Sequence, residues 1–110
     1  MDINREYVDM QDALKRIGGS LDLYKRLLKQ FTDGNHIDPM EEALSTGALQ
    51  EASHLTHTLK GVAANLSLLK LAEDARKLEE DVKNNLDYTN AFAELKNTYH
   101  ITSQEISKIL

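Results

Sequence analysis

The sequence predicts an all-α fold: an antiparallel, up-down four-helix bundle with additional short helices near its N-terminus. Three observations predict it. Glycine and proline are scarce, at five and one in 110 residues, so little punctuates the chain and long helices follow. Three long segments in the second half repeat apolar residues at steps of three and four, the period of a helix with one buried face. No segment alternates apolar and polar residues for more than a few positions, so strands are not expected. The length fits one domain over residues 1–110, with a core that needs no covalent staples.

Taken in order, a short first helix runs from about Asp9 to Ile17 and stops at Gly18-Gly19. Ser20 is a suitable N-cap for the next helix, with Asp22 in its first turn. That helix carries Leu21, Tyr24, Leu27, Leu28 and Phe31 at helical spacing and ends near Asp33-Gly34-Asn35. Asp38 reads as the next N-cap, with Pro39 at the first helical position and Glu41 at the spacing of a capping box. This short helix breaks at Gly47.

A long helix follows from about Ala48 to Leu66, with Leu55, Leu59, Val62, Leu66 and Leu69 as its expected core stripe. Ser67 is the expected cap of the next, from about Leu68 to Lys83, whose stripe is Leu68, Leu71, Ala75, Leu78 and Val82. Asn84-Asn85 ends it. Asp87 is the expected cap of the last helix, from about Tyr88 to Ile109, with Phe92, Leu95, Tyr99, Thr102, Ile106 and Ile109 as its stripe. Short connections favour antiparallel neighbours, hence the up-down arrangement.

Composition excludes several functions. There is no cysteine, which removes disulfides and thiolate metal sites and fits a reducing compartment. No apolar run approaches the length of a membrane span. The opening Met1-Asp2-Ile3-Asn4-Arg5 lacks the apolar stretch of a signal peptide, so a cytoplasmic protein is expected. A net charge of −5 argues against nucleic acid as a partner. Neither a GxxxxGK[ST] nor a GxGxxG pattern occurs, so no nucleotide cradle and no ATP-dependent kinase activity are expected.

One segment carries chemistry: Ser53-His54-Leu55-Thr56-His57-Thr58-Leu59-Lys60-Gly61-Val62-Ala63-Ala64-Asn65. At about 100° per residue, His57 lies on the far side of the helix from Leu59 and should reach solvent. Lys60, Gly61 and Ala64 share its face. Glycine inside a helix costs about 1 kcal/mol relative to alanine, so something should compensate. Gly61 and Ala64 leave bare backbone beside the imidazole, where another protein can approach closely. Lys60 puts a cation within reach of an anion attached to the ring. Histidine is a nucleophile near neutral pH, and a phosphoryl group on it would be offset by the lysine.

His57-Thr58-Leu59-Lys60-Gly61 resembles the signature H-x-L-K-G of histidine-containing phosphotransfer (HPt) domains. Val8-Asp9, Ala13-Leu14, Gly18-Gly19-Ser20, Leu23-Tyr24, Leu27-Leu28 and Phe31 resemble the opening of such domains, and Leu71-Ala72 and Leu78-Glu79 the helix after the signature. The resemblance covers roughly residues 7–83. It implies phosphorylation of His57 on the solvent-facing ring nitrogen, charge support from Lys60 and steric clearance at Gly61. It also implies a residue on the following helix, here Glu79, that hydrogen-bonds the other imidazole nitrogen and orients the ring. One departure is visible: the family usually has glycine where this chain has Ser67.

The implied function is that of a phosphorelay intermediate, exchanging phosphate with the aspartate of response-regulator receiver domains downstream of a hybrid sensor histidine kinase. The partner receiver would supply Mg²⁺, and no cofactor of the chain's own is expected. The docking face would centre on His57 and include Ser53, His54, Lys60, Gly61, Ala64 and Glu79. A monomer is expected.

Plainer readings stand beside these. A lone histidine is usually a solvated surface residue, Lys60 alone a solvated charge, and Gly61 alone a close helix–helix contact. His36 and His100 read as ordinary exposed or half-buried residues, and the charged run from Glu73 to Asp81 as a solvated face with i,i+4 pairs. The rival functions are a helical interaction module that is never phosphorylated and a metal-binding bundle using Glu51, His54 and His57. The second lacks the further ligand set that carboxylate–histidine bundles require.

Overall fold

The computed structural model describes residues 2–110; Met1, first residue of the N-terminus read above, lies outside them. Six helices follow one another: α1 (Met10–Arg16), α2 (Leu21–Asp33), α3 (Asp38–Ser45), α4 (Leu49–Asn65), α5 (Leu69–Lys83) and α6 (Thr89–Ile109). The fold is an antiparallel four-helix bundle of α2, α4, α5 and α6, with α1 and α3 as the short additional helices. Among the described residues there is no strand. No helix among them is long and apolar enough to cross a membrane.

The helix ends follow local chemistry, with three shifts from the expected caps. Asp9 and Ser20 cap α1 and α2, their side chains accepting from the backbone N–H of Asp12 and Leu23. Gly18 and Gly19 both have positive φ, which ends α1 abruptly. Asp38 is not the cap of α3 but its first residue. Ile37 holds the cap position, and Asn35 Oδ1 accepts from the Asp38 N–H instead. Tyr88 stands at the cap of α6, yet Asp87 still supplies the oxygen, accepting from the Thr89 N–H at 3.0 Å.

Ser67 departs most from expectation. It does not cap α5; Leu68 holds that position, with no side-chain hydrogen bond there. Ser67 is fully buried and has φ 56°, the left-handed conformation that favours glycine. This accounts for the family's usual glycine at the site. The hydroxyl offsets the strain by donating to Asp12 Oδ2 at 2.7 Å, and the Ser67 carbonyl accepts from the Asp9 N–H at 3.0 Å. The α4–α5 turn is thereby tied to α1.

The α4–α5 pair makes the most extensive helix contact, followed by α5–α6 and α3–α4. The expected α5 stripe of Leu68, Leu71, Ala75, Leu78 and Val82 is buried throughout. The α6 stripe buries Leu95, Thr102, Ile106 and Ile109, with Phe92 and Tyr99 half-buried at its edge. The α4 stripe is corrected. Leu59 and Leu66 are buried, but Leu55 and Val62 are only half-buried and Leu69 is exposed. The buried face centres instead on Ala52, Thr56, Leu59 and Ala63. Small residues there let α5 approach closely, and Thr56 donates its hydroxyl back to the Ala52 and Ser53 carbonyls, so it can be buried without loss.

The charged run on α5 is not uniformly solvated, as two of its carboxylates are buried. Asp74 accepts from the Thr98 hydroxyl of α6 and from Lys70. Glu79 faces α4. On α2, buried Tyr24 donates its hydroxyl to the Leu66 carbonyl at 2.8 Å, which joins α2 to the end of α4. Burial pushes the Tyr24 phenol well above its ordinary range.

The strain at Ser67 is testable by replacement. Ser67→Ala keeps the left-handed cost and loses the hydroxyl, so it should be less stable than the parent. Ser67→Gly loses the same hydrogen bond but sheds the strain, so it should exceed Ser67→Ala by about 1 kcal/mol in urea unfolding.

Candidate functional site

Helix α4 presents His57 because its buried face lies elsewhere. With Ala52, Thr56, Leu59 and Ala63 against the core, His57 projects roughly 130° from the centre of that face. Its side chain is 64% exposed. The expected exposure therefore holds although the stripe that predicted it is rotated.

Helix α5 brings Glu79 to the ring. Glu79 stands one turn after Ala75 and next to Leu78, at the margin of the α5 core stripe, where α5 meets α4. Its side chain is only 6% exposed. Oε2 lies 2.9 Å from His57 Nδ1, and Oε1 accepts from Lys60 Nζ at 3.0 Å. Lys83, one turn further along α5, approaches Oε2 at 3.3 Å. One buried carboxylate thus gathers an imidazole and two ammonium groups.

The electrostatics follow from that arrangement. Burial alone would push the Glu79 carboxyl up, but hydrogen bonds and charge from Lys60 and Lys83 outweigh it and hold the group below its ordinary value. Glu79 is therefore ionised at neutral pH and can only accept hydrogen bonds. The proton in its contact with His57 must then sit on Nδ1. Nδ1–H therefore donates to Glu79, and in the neutral ring the lone pair is left on Nε2.

Lys60 shares the face of His57, as spacing implied, but its ammonium group is bound to Glu79 and its side chain is 33% exposed. At Gly61 an added Cβ would meet nothing within 4 Å. This removes the helix–helix explanation for that glycine, since no neighbouring helix lies against it. His54 and Ala64 are exposed on the same side of α4, and Ser53 is half-buried. The expected face is thus assembled, with Glu79 beneath it rather than on it.

Glu51 is exposed and does not converge with His54 and His57. Among the described residues, no group of three histidine or acidic side chains is placed to hold a metal ion. His36 stacks on Phe31 with ring centroids 4.7 Å apart, a packing role away from His57. Lys83 was not singled out by sequence. The available signal was its i+4 spacing from Glu79, a pairing common on any charged helix.

The depressed Glu79 carboxyl has a consequence in acid. Because the unfolded chain binds a proton at Glu79 more readily, its ionised contacts stabilise the fold above about pH 4 and are lost as pH falls through the lower folded value. The parent should be more stable than Glu79→Gln at pH 7. The gap should close below about pH 4 in denaturant unfolding followed across pH.

Comparison with curated proteins and with solved structures gives no significant match. The family model for the Hpt domain matches residues 9–105, which takes in all of α1 to α5 and most of α6. A match over nearly the whole bundle makes this chain a member of the Hpt domain family, a family of histidine phosphotransfer in phosphorelays.

Proposed function

We propose that the protein is a cytoplasmic phosphorelay intermediate that carries a phosphoryl group on His57 Nε2. It accepts the group from the aspartyl phosphate of one receiver domain, within a relay fed by a hybrid sensor kinase, and passes it to the aspartate of another. The observation that carries the reading is the 2.9 Å contact between His57 Nδ1 and a buried, ionised Glu79. It holds a proton on Nδ1, so that the lone pair of the neutral ring falls on Nε2, the nitrogen a nucleophile would use.

Each further residue has a role in this reading. Glu79 holds the ring against rotation and keeps the proton on Nδ1. Lys60 supplies positive charge where the transferred group arrives. Gly61 and Ala64 leave room for the receiver, and Ser53 and His54 extend the docking face. Mg²⁺ belongs to the receiver, where it draws charge from the phosphoryl group during transfer. The chain then contributes chiefly a rigid, correctly oriented nucleophile, and positioning is a large part of what phosphoryl transfer requires. It acts as a monomer.

Incubation with a phosphorylated cognate receiver and Mg²⁺ tests this. Label should move to the parent protein and yield an acid-labile phosphate. His57→Gln should take up less than about a hundredth as much, as expected when a covalent nucleophile is removed. Equal labelling of His57→Gln, or label that stays on the receiver, defeats the proposal.

Gly61→Gln separates docking from folding. A side chain at this open position should raise helix stability by up to about 1 kcal/mol. The same side chain should slow transfer from the receiver roughly tenfold by displacing the partner. Thermal melting and transfer rates measured on one preparation check both.

A further inference from the structure

We propose that Lys83 is a second cation for the phosphoryl group, held by Glu79 in the unphosphorylated protein and turned toward His57 once the group is attached. The inference rests on the phosphotransfer reading above. Of the groups gathered at Glu79, Lys83 lies furthest along the chain from the signature segment, yet it shares one oxygen with the imidazole. Glu79 Oε2 lies 2.9 Å from His57 Nδ1 and 3.3 Å from Lys83 Nζ. The ammonium group is therefore within about two hydrogen-bond lengths of the imidazole.

Three features make Lys83 the movable member of the cluster. Its contact is the longest of the three on Glu79, against 2.9 Å for His57 and 3.0 Å for Lys60. Its side chain is 60% exposed, whereas Lys60 is 33% exposed. Its four-carbon stem starts one turn from Glu79 on α5, so Nζ can sweep toward solvent without moving the helix.

The chemistry supplies a reason to move. The Nε2 lone pair attacks phosphorus in the aspartyl phosphate and an N–P bond forms. The bond from phosphorus to the carboxyl oxygen breaks, its electron pair leaving with the receiver's aspartate. No proton is released: Nδ1 keeps its hydrogen and the ring becomes a phosphoimidazolium. Glu79 then faces a positive ring and no longer needs two lysines to balance it. The phosphoryl group brings a charge of about −1.5 to −2 close by, which attracts a released ammonium group. The ordinary account of Lys83, an exposed i,i+4 pair that contributes little to stability, predicts no effect on the phosphorylated state.

Potassium phosphoramidate, a small donor that phosphorylates histidine without a partner protein, provides the test. The full chain is loaded, and the second ionisation of the attached phosphoryl group is followed by phosphorus NMR across pH. In Lys83→Met it should move upward by about 0.3 pH unit or more, because losing a nearby cation disfavours the dianion. Lys83→Arg should titrate like the parent. A smaller shift in Lys83→Met, or an equal shift in Lys83→Arg, overturns the role of Lys83. His57→Gln separates the two readings: phosphohistidine that fails to form on the parent, or forms equally in this variant, rejects phosphotransfer at His57 itself.

Discussion

A buried carboxylate between two helices constrains the rest of this structure. Glu79 sits at the α4–α5 contact with a side chain only 6% exposed, where an unpaired charge would be strongly unfavourable. It is tolerated because His57, Lys60 and Lys83 converge on its two oxygens. Each partner is fixed by the requirement in turn. The imidazole is held in one orientation with a proton on Nδ1, and the two lysines are drawn toward the same carboxylate. The contacts that stabilise the buried charge are the same ones that orient the ring.

The surrounding bundle is built to keep that contact in register. Ala52, Thr56 and Ala63 are buried on α4, and Leu71, Ala75, Leu78 and Val82 on α5, the two helices in most extensive contact. A larger residue on α4 would separate the helices and lengthen the reach from His57 to Glu79. Asp74 performs a similar service on the far side of α5, where the Thr98 hydroxyl joins it to α6. Two buried carboxylates on one helix thus index it against both neighbours. Such polar contacts specify one alignment where apolar packing alone permits several.

Much of this was legible in the chain itself. Gly18-Gly19, Gly47 and Asn84-Asn85 mark helix ends by requirements that single residues carry, and the stripes of α5 and α6 are long enough to identify their buried faces. His57, Lys60 and Gly61 share a face by spacing alone. The α4 stripe was misread because its leucines and valine outweigh its alanines in any hydrophobic count, whereas close packing selects the small residues. Ser67 was misread because serine is a common cap, and nothing local indicates that a position requires positive φ. Glu79 entered through family resemblance, Asp74 passed as surface charge, and Lys83 was not singled out. Their partners, at 98 and 79, lie on other helices or one turn away, and charge composition does not record which pairs are buried.

The hydroxyl of Ser67 and the carboxylate of Asp12 have a reach beyond their own turn. They fasten the first helix to the hinge from which α4 and α5 descend, the two helices that carry His57 and Glu79. A fragment trimmed to begin after α1 would retain His57, Lys60, Glu79 and Lys83. It would nonetheless leave a strained buried residue without its tether, at the pivot that sets the spacing between imidazole and carboxylate. Helix α1, remote in sequence from His57 and Glu79, thus bears on the turn that sets their separation.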